Sequence, residues 1–426
     1  MFKFILQKIV ASLAKKVLYA RKPEIIGITG SVGKTTTKEA IAKVLAKHFN
    51  IRETYKNYNN EIGLPLTVLG LTSPGKSLKG WFKVWQVSRE LAKNKNINYP
   101  DCLVLEMGID RPRDMDYLLT IVKPTRAVIT KLGQAHLEFF SSLDELHQEK
   151  IKLASAIPLD GWIIYNYDDE LLREIVKSLP QQSVGYGFSE KAEVSAEYVS
   201  GTHDIHNNQV GISFKMKMNG STIPVFLPGS IGRPAIYSAL AAAATGLTYG
   251  LNGLQISEAL REIKQPAGRL NLLAGKNDTL IIDDTYNSSP DSVFEGLLAI
   301  NDISVDFKNR IWAVLGDMRE LGSLSKKSHE DIGQAAAKIA DVVVAVGQDG
   351  KMIYEAAKRA GAKEVYLFTN SIEAANFIDT QIQTGDLFFI KGSQAVRMEK
   401  IVKRLMKEPD KAKDLLVRQG NEWKDK

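Results

Sequence analysis

A chain of 426 residues, one quarter charged and 44% hydrophobic, has the composition of a folded globular protein and the length for two or three domains. Its single cysteine, Cys102, excludes an internal disulfide and fits a reducing compartment, and six histidines without metal-ligand spacing argue against a zinc site. The net charge of +7 comes with no aromatic RNA-binding motif and no recognition-helix pattern, which argues against nucleic acid as a partner.

Residues 1–20 read as one amphipathic helix, with Phe2, Ile5, Leu6, Ile9, Leu13 and Val17 near one face and the lysines mostly elsewhere. Lysines interrupt the apolar run, so it is neither a signal peptide nor a bilayer span. Two readings stay open: a helix packed on the first domain, and an interfacial membrane helix.

Glu24 to Thr29 then reads as a short buried strand. Gly30-Ser31-Val32-Gly33 is a loop with little side-chain bulk, and Lys34 opens a helix with Ile41, Val44, Leu45 and Phe49 on one face. A strand, a glycine-rich turn and a helix N-terminus form an anion cradle, because loop N–H groups point inward and the helix dipole adds partial positive charge. Lys34 can reach the β- and γ-phosphates of a nucleotide, and Thr35 can put its hydroxyl on Mg²⁺. The strict G-x-x-x-x-G-K-[ST] spacing is not met, since Ile28 stands where the first glycine belongs. An ordinary βα turn accounts for the glycines but not for Gly-Lys-Thr-Thr-Thr, so phosphate binding is the reading.

Asn57, Asn59 and Asn60, followed by Gly63 and Pro65, read as a polar loop entering a helix. Residues 76–95 mix Lys76, Lys79, Lys83, Lys93 and Lys95 with Trp81, Phe82 and Trp85; a membrane-surface helix and a core-packed helix with a solvated face are equally open. Residues 101–106 form an apolar strand ending in Glu106, which a parallel sheet would place near the phosphate loop. A strand at 126–130 leads into a loop with His136, and a helix over 142–157 bears Glu149 and Lys150. From 192 to 227, alternating patches with turn signals at Asn207-Asn208 and Asn219-Gly220 suggest a small antiparallel insertion. Pro266-Ala267-Gly268 marks a boundary, after which strands at 279–284, 310–315, 342–346, 364–368 and 386–390 alternate with helices. The charged tail from Lys407 reads as a helix or frayed end. The expectation is an α/β protein: an N-terminal helix (1–22), a P-loop domain with a parallel sheet and an antiparallel insertion (23–265), and a Rossmann-like doubly wound C-terminal domain (266–426).

The segments GITGSVGKTTTKEAI, NNEIGLPL, LEMGIDRPRDMDYL, AHLEFF, GRLNLL, IIDDTYNSSPDS, LGDMRELG and IKGSQA occur in this order. In them the chain resembles the Mur ligases, most of all those that add D-alanyl-D-alanine to UDP-N-acetylmuramoyl-tripeptide. The resemblance runs from Pro23 to about Met406. It implies a monomeric cytoplasmic enzyme using ATP and Mg²⁺, with UDP-muramoyl-tripeptide and D-Ala-D-Ala as substrates, and an acyl phosphate that the incoming amine converts to an amide. It implies that Gly30, Ser31, Val32, Gly33, Lys34, Thr35 and Thr36 bind phosphate, that Thr35, Glu106, His136 and Lys150 hold Mg²⁺, and that Lys150 is carbamylated. Lys34, His136 and Lys150 would be the catalytic residues. Asn59 and Asn60 would lie by the substrate. Arg269, Asp284, Tyr286 and Asn287 would contribute to ATP from the second domain, and Lys391, Gly392 and Ser393 to the incoming amino component.

The chain departs from the family at several points. About 22 residues precede the P-loop strand, so the UDP-binding domain that usually begins these enzymes is expected to be absent. Pro234, Ala235 and Ser238 stand where the family has H-N-x-x-N, and Ser289 where N-A-N-P has its second Asn. Lys152 replaces an acid and Gln394 a usual Arg or Asn. Two alternatives follow: an amide ligase acting on a folate, cyanophycin-like or lipid-linked acceptor, and a non-catalytic nucleotide-binding partner of membrane-bound cell-wall machinery. Peripheral membrane contact would run through residues 1–20 and 76–95.

Overall fold

The computed structural model describes residues 2–55, 58–204, 209–304, 310–420 and 423. The chain divides into two compact units, one of Met1–Val199, Phe214–Phe226 and Ile236–Ile263, the other of Ser200–Ser213, Leu227–Ala235 and Lys264–Lys426. Asn57 and the turn expected at Asn207-Asn208 lie outside the described residues.

The first sheet has nine strands: β1 (Glu24–Thr29), β2 (Ile51–Glu53), β3 (Cys102–Glu106), β4 (Arg126–Ile129), β5 (Trp162–Asn166), β6 (Gln182–Gly187), β7 (Val194–Asp204), β8 (Gln209–Met218) and β9 (Ser221–Pro228), in the order β2-β3-β1-β4-β5-β6-β7-β8-β9. β1 runs parallel to β3 on one side and β4 on the other, with Ile28 opposite Glu106 and Thr29 opposite Ile129. All of β3, and all of β1 after Glu24, is buried. Strands covered on both faces read as unbroken apolar runs rather than as alternation, which is why both were legible. The chain leaves β1 in one direction and returns on its other side, so the crevice at its C-terminal end is where a ligand site forms. The β8–β9 turn has Asn219 at φ 48° and Gly220 at φ 72°. Both central residues are left-handed, the two-residue turn that matches strand twist in an antiparallel hairpin.

The expected N-terminal helix spans Phe2–Arg21. It packs on helices Gly63–Leu69 and Leu78–Lys93 through Val10, Ala11, Leu13, Ala14 and Val17. Ile5 and Ile9, which periodicity grouped on one face with Leu13 and Val17, are about half exposed. The inner stripe is the one holding Ala11 and Ala14, whose small side chains admit close helix approach. Arg21 fixes the end of the helix by donating to the carbonyls of Leu91, Asn94 and Ile97. Among the described residues no helix is long and apolar enough to cross a membrane.

The second sheet comprises β10 (Asn271–Ala274), β11 (Leu280–Asp284), β12 (Ile311–Gly316), β13 (Val342–Val346), β14 (Glu364–Phe368) and β15 (Leu387–Lys391), in the order β10-β11-β15-β12-β13-β14. Only β10 is antiparallel to its neighbour. Trp312 and Phe388 fill one face, ring centroids 5.4 Å apart, and Phe389 packs on the other with Leu297 and Ile300. The late strand β15 inserts between β11 and β12, which puts Lys391 opposite Asp284 and Leu315. Of the two readings of the tail, its described residues follow the helical one in part. They fold into the turns Pro409–Lys411 and Ala412–Leu415, and Ala412 and Leu416 join the core.

Candidate active site

The Gly30–Gly33 loop is built by backbone geometry. Gly30 has φ 141°, and a Cβ there would stand 2.1 Å from Thr130 Oγ1. Gly33 caps helix Lys34–Leu45 with φ 83° and offers no side-chain cap. The start of the helix therefore has no side chain of its own cap residue over it, which lets an anion approach. Neighbouring strands hold the loop: Ser31 N donates to the Lys131 carbonyl, Gly133 N to Ser31 Oγ, and Thr130 Oγ1 to the Val32 carbonyl at 2.6 Å. Lys34 Nζ donates to the Gly30 carbonyl at 2.6 Å, curled back over the loop. Thr36 is half-buried in the same first turn.

Three of the residues singled out from sequence come together directly. Thr35 Oγ1 donates to Glu106 Oε2 at 2.9 Å, and Asn59 Nδ2 donates to Glu106 Oε1 at 3.0 Å. Asn59 lies flat on Gly108, where a Cβ would meet its amide nitrogen at 2.8 Å. Glu106 is buried and forms no ion pair with Lys or Arg among the described residues. A buried carboxylate held only by neutral donors, beside a threonine hydroxyl, is an oxygen donor set suited to Mg²⁺. Asn60 does something else: its Oδ1 accepts from Ile62 N and Gly63 N, closing the start of helix Gly63–Leu69.

His136 and Lys150 stand on separate elements. His136 has φ 71° at the start of the turn Leu137–Phe139, with Nδ1 3.6 Å from Asp110 Oδ1. Lys150 is 1% exposed in helix Leu143–Ser155. Burial, and then the charge of Lys150, lower the pKa of neighbouring His147. Among the described residues no three His, Cys, Asp or Glu side chains already form a metal cage. Lys152, at the position where an acid was expected, bridges Asp116 (2.6 Å) and Glu149 (2.7 Å). Glu149 in turn accepts from Met115 N. Ser238 Oγ lies 3.4 Å from Thr37 Oγ1 on the phosphate-loop helix. Cys102 is buried and its thiol is pushed up to about 11, a core residue rather than a nucleophile.

The second unit carries its own cluster at the ends of β11 and β15. Lys391 Nζ donates to Asp284 Oδ2 at 2.6 Å and to the Asn287 carbonyl at 2.9 Å, and both charged side chains are buried. Burial pulls the Lys391 amine below the lysine range, opposed by the Asp284 charge. Arg269 stacks on Tyr286 at 4.0 Å, and Tyr286 N donates to the Gly268 carbonyl. Gly392 packs against Gly316 so closely that a Cβ would meet Met398 Cγ at 2.6 Å. Ser393 Oγ accepts from Arg319 N. Ser289 pairs with Ser292 at the start of helix Pro290–Ser304, and Gln394 opens the turn Gln394–Val396.

Three further residues escaped the sequence reading. Buried Asp317, in LGDMRELG, accepts from Gly350 N and from Arg319 Nη2; its signal was an acid one residue past a strand. Arg418 donates to the carbonyls of Thr285 and Tyr286 and pairs with buried Glu399, which also pairs with Arg397. No local pattern marks an arginine in a charged tail as buried.

The Mur ligase middle domain matches residues 28–246, and the Mur ligase glutamate ligase domain matches residues 268–394. The chain belongs to the Mur ligase family. It is 30% identical to the UDP-N-acetylmuramoyl-tripeptide–D-alanyl-D-alanine ligase of Bacillus subtilis, over 93% of this chain and 79% of that one. The ligase of the same name from Synechocystis is 31% identical, over 90% and 75%. Among solved structures, MurF from Thermotoga maritima in complex with ADP superposes with a TM-score of 0.77 at 26% identity, covering 95% of this chain and 84% of that one. MurF from Acinetobacter baumannii gives 0.76 at 28%, covering 93% and 79%. As a Mur ligase the protein is an ATP-dependent amide ligase of peptidoglycan precursor synthesis.

Proposed function

We propose that this Mur ligase joins D-alanyl-D-alanine to the tripeptide of UDP-N-acetylmuramoyl-tripeptide. The observation that carries the reading is the Thr35–Glu106–Asn59 group beside the phosphate loop, in a chain similar along nine tenths of its length to ligases of that name. An oxygen of the tripeptide's terminal carboxylate attacks the γ-phosphorus of ATP and ADP leaves. The dipeptide amine then attacks the acyl carbon, phosphate leaves, and the amine gives up its proton as the amide forms. Such a reaction depends on positioning and charge neutralisation.

The residues take these roles. Loop amides of Gly30 to Gly33, with Thr36, hold the phosphates, and Lys34 swings from the Gly30 carbonyl to the γ-phosphate. Thr35, Glu106, His136 and a carbamylated Lys150 would hold Mg²⁺, which when bound neutralises the facing anions of phosphate and acceptor. Asn59 orients the acceptor, and Asn60 holds the loop that carries it by closing the start of helix Gly63–Leu69. Arg269, Asp284, Tyr286 and Asn287 serve the nucleotide, and Lys391, Gly392 and Ser393 the incoming dipeptide.

Phosphate release from ATP with Mg²⁺ and D-Ala-D-Ala tests this, in three arms: UDP-muramoyl-tripeptide, the same peptide without UDP, and no acceptor. Release confined to the UDP-linked arm is expected. Release with the UDP-free peptide alone assigns a different acceptor, and release in neither overturns the reading.

A further inference from the structure

Helix Leu78–Lys93 has two apolar faces. One is explained: Val84 and Leu91, with Trp81 beside them, pack against Val10, Leu13 and Val17 of the N-terminal helix. The other is not. Leu78, Phe82 and Trp85, at spacings of four and three, form a stripe that stands 74%, 58% and 40% exposed, and Arg89 continues it. Ser77 caps the helix, and Trp81 Nε1 donates to the Gly75 carbonyl. The Phe82 and Trp85 rings stack with centroids 5.6 Å apart, and the Arg89 guanidinium lies 5.4 Å from the Trp85 ring. Exposed Lys79, Lys83 and Lys93 flank the stripe. The adjoining helix repeats the pattern, leaving Ile5 and Ile9 half exposed among exposed Lys8, Lys15 and Lys16.

Charge identifies the occupant. Residues 1–22 hold six basic side chains and no acid, and residues 76–95 hold six and one. These two segments carry +11 against +7 for the whole chain, so the rest is net −4. An anionic lipid surface satisfies both features at once: Trp and Phe rings seat at headgroup depth, and lysine stems lie along apolar surface with their ammonium groups on the phosphates. Single-stranded nucleic acid would use the charge but leaves Leu78 without a role, and it stacks bases on rings that here stack on each other. We propose that this two-helix face docks the enzyme on an anionic lipid surface. The proposal does not depend on which acceptor the enzyme uses.

Cosedimentation of the full chain with vesicles tests it, comparing phosphatidylcholine alone with equimolar phosphatidylcholine and phosphatidylglycerol. Binding only to the anionic vesicles, weakening with added salt, is expected. Lys79→Gln with Lys83→Gln lowers the partition by on the order of 25-fold, at roughly fivefold per lysine. Phe82→Ser with Trp85→Ser lowers it as well. Both variants keep wild-type thermal unfolding and phosphate release with soluble substrates, because these side chains are exposed and outside the phosphate loop. Equal binding to neutral vesicles, undiminished binding by both variants, or retention on single-stranded RNA without retention on vesicles overturns the proposal.

Discussion

Lys391→Met isolates the buried ion pair of the second unit. The Lys391 and Asp284 side chains are 2% and 9% exposed, with nitrogen and oxygen 2.6 Å apart. Methionine keeps the unbranched stem and removes the donors to Asp284 and to the Asn287 carbonyl. Asp284 is then a buried charge without its cation, a loss of about 3–5 kcal/mol at neutral pH. Burial already raises the Asp284 carboxyl pKa, and Lys391 pulls it down, so removing Lys391 raises it further. A carboxyl whose folded pKa lies above its unfolded value adds stability at low pH and loses it as pH rises. The deficit of the variant is therefore smallest in acid and grows toward neutrality. Lys391→Met combined with Asp284→Asn removes both charges and returns stability to near the wild type, because the desolvation cost disappears with the attraction. Urea titrations at about pH 5 and about pH 8 measure this, read by tryptophan fluorescence, since Trp312 is buried in the same sheet. A single variant within about 1 kcal/mol of wild type at the higher pH, or a double variant no better than the single, refutes the reasoning. Both variants also lose turnover, as the Tyr286–Asn287 segment loses an anchor.

Lys34→Ala lowers ligase turnover by on the order of 10²–10³-fold with an unchanged urea midpoint, and steady-state phosphate release reads it. Lys150→Ala is inactive and regains part of its turnover with added acetate or formate, which stand in for the carbamate; full activity without them removes the carbamate role. Asp283 is fully buried and its carboxyl is pushed up to about 6, chiefly by desolvation. Its folded pKa is above the unfolded value, so wild-type stability falls as pH rises from about 4 to about 6, and Asp283→Asn flattens that part of a stability–pH profile.

The elements and their class were legible from local residue patterns. β1, β3, β12 and β13 are covered on both faces, so each had to be a continuous apolar run, and runs alternating with amphipathic helices allow little but parallel sheets. The glycine turn between β1 and its helix was equally legible, since its glycines and Lys-Thr-Thr are local in the chain. Elements with too few residues to carry a period were not: β2 has three residues and β10 has four. Which side chains meet depends instead on the packing of the whole chain. Thr35 and Glu106 are 71 residues apart, and Asp284 and Lys391 107 apart. Each pair exists because neighbouring parallel strands bring their C-terminal ends, or the loop and helix that follow, side by side in an order that crossovers set and composition does not. The same holds for Asn59 and Asn60, chemically alike neighbours of which one turns to Glu106 and the other closes a helix. It holds for Arg418, which a charged tail hides until folding buries it against Glu399. Periodicity reports burial along one element, whereas a site is a property of loops at the ends of several, and their juxtaposition is fixed by packing alone.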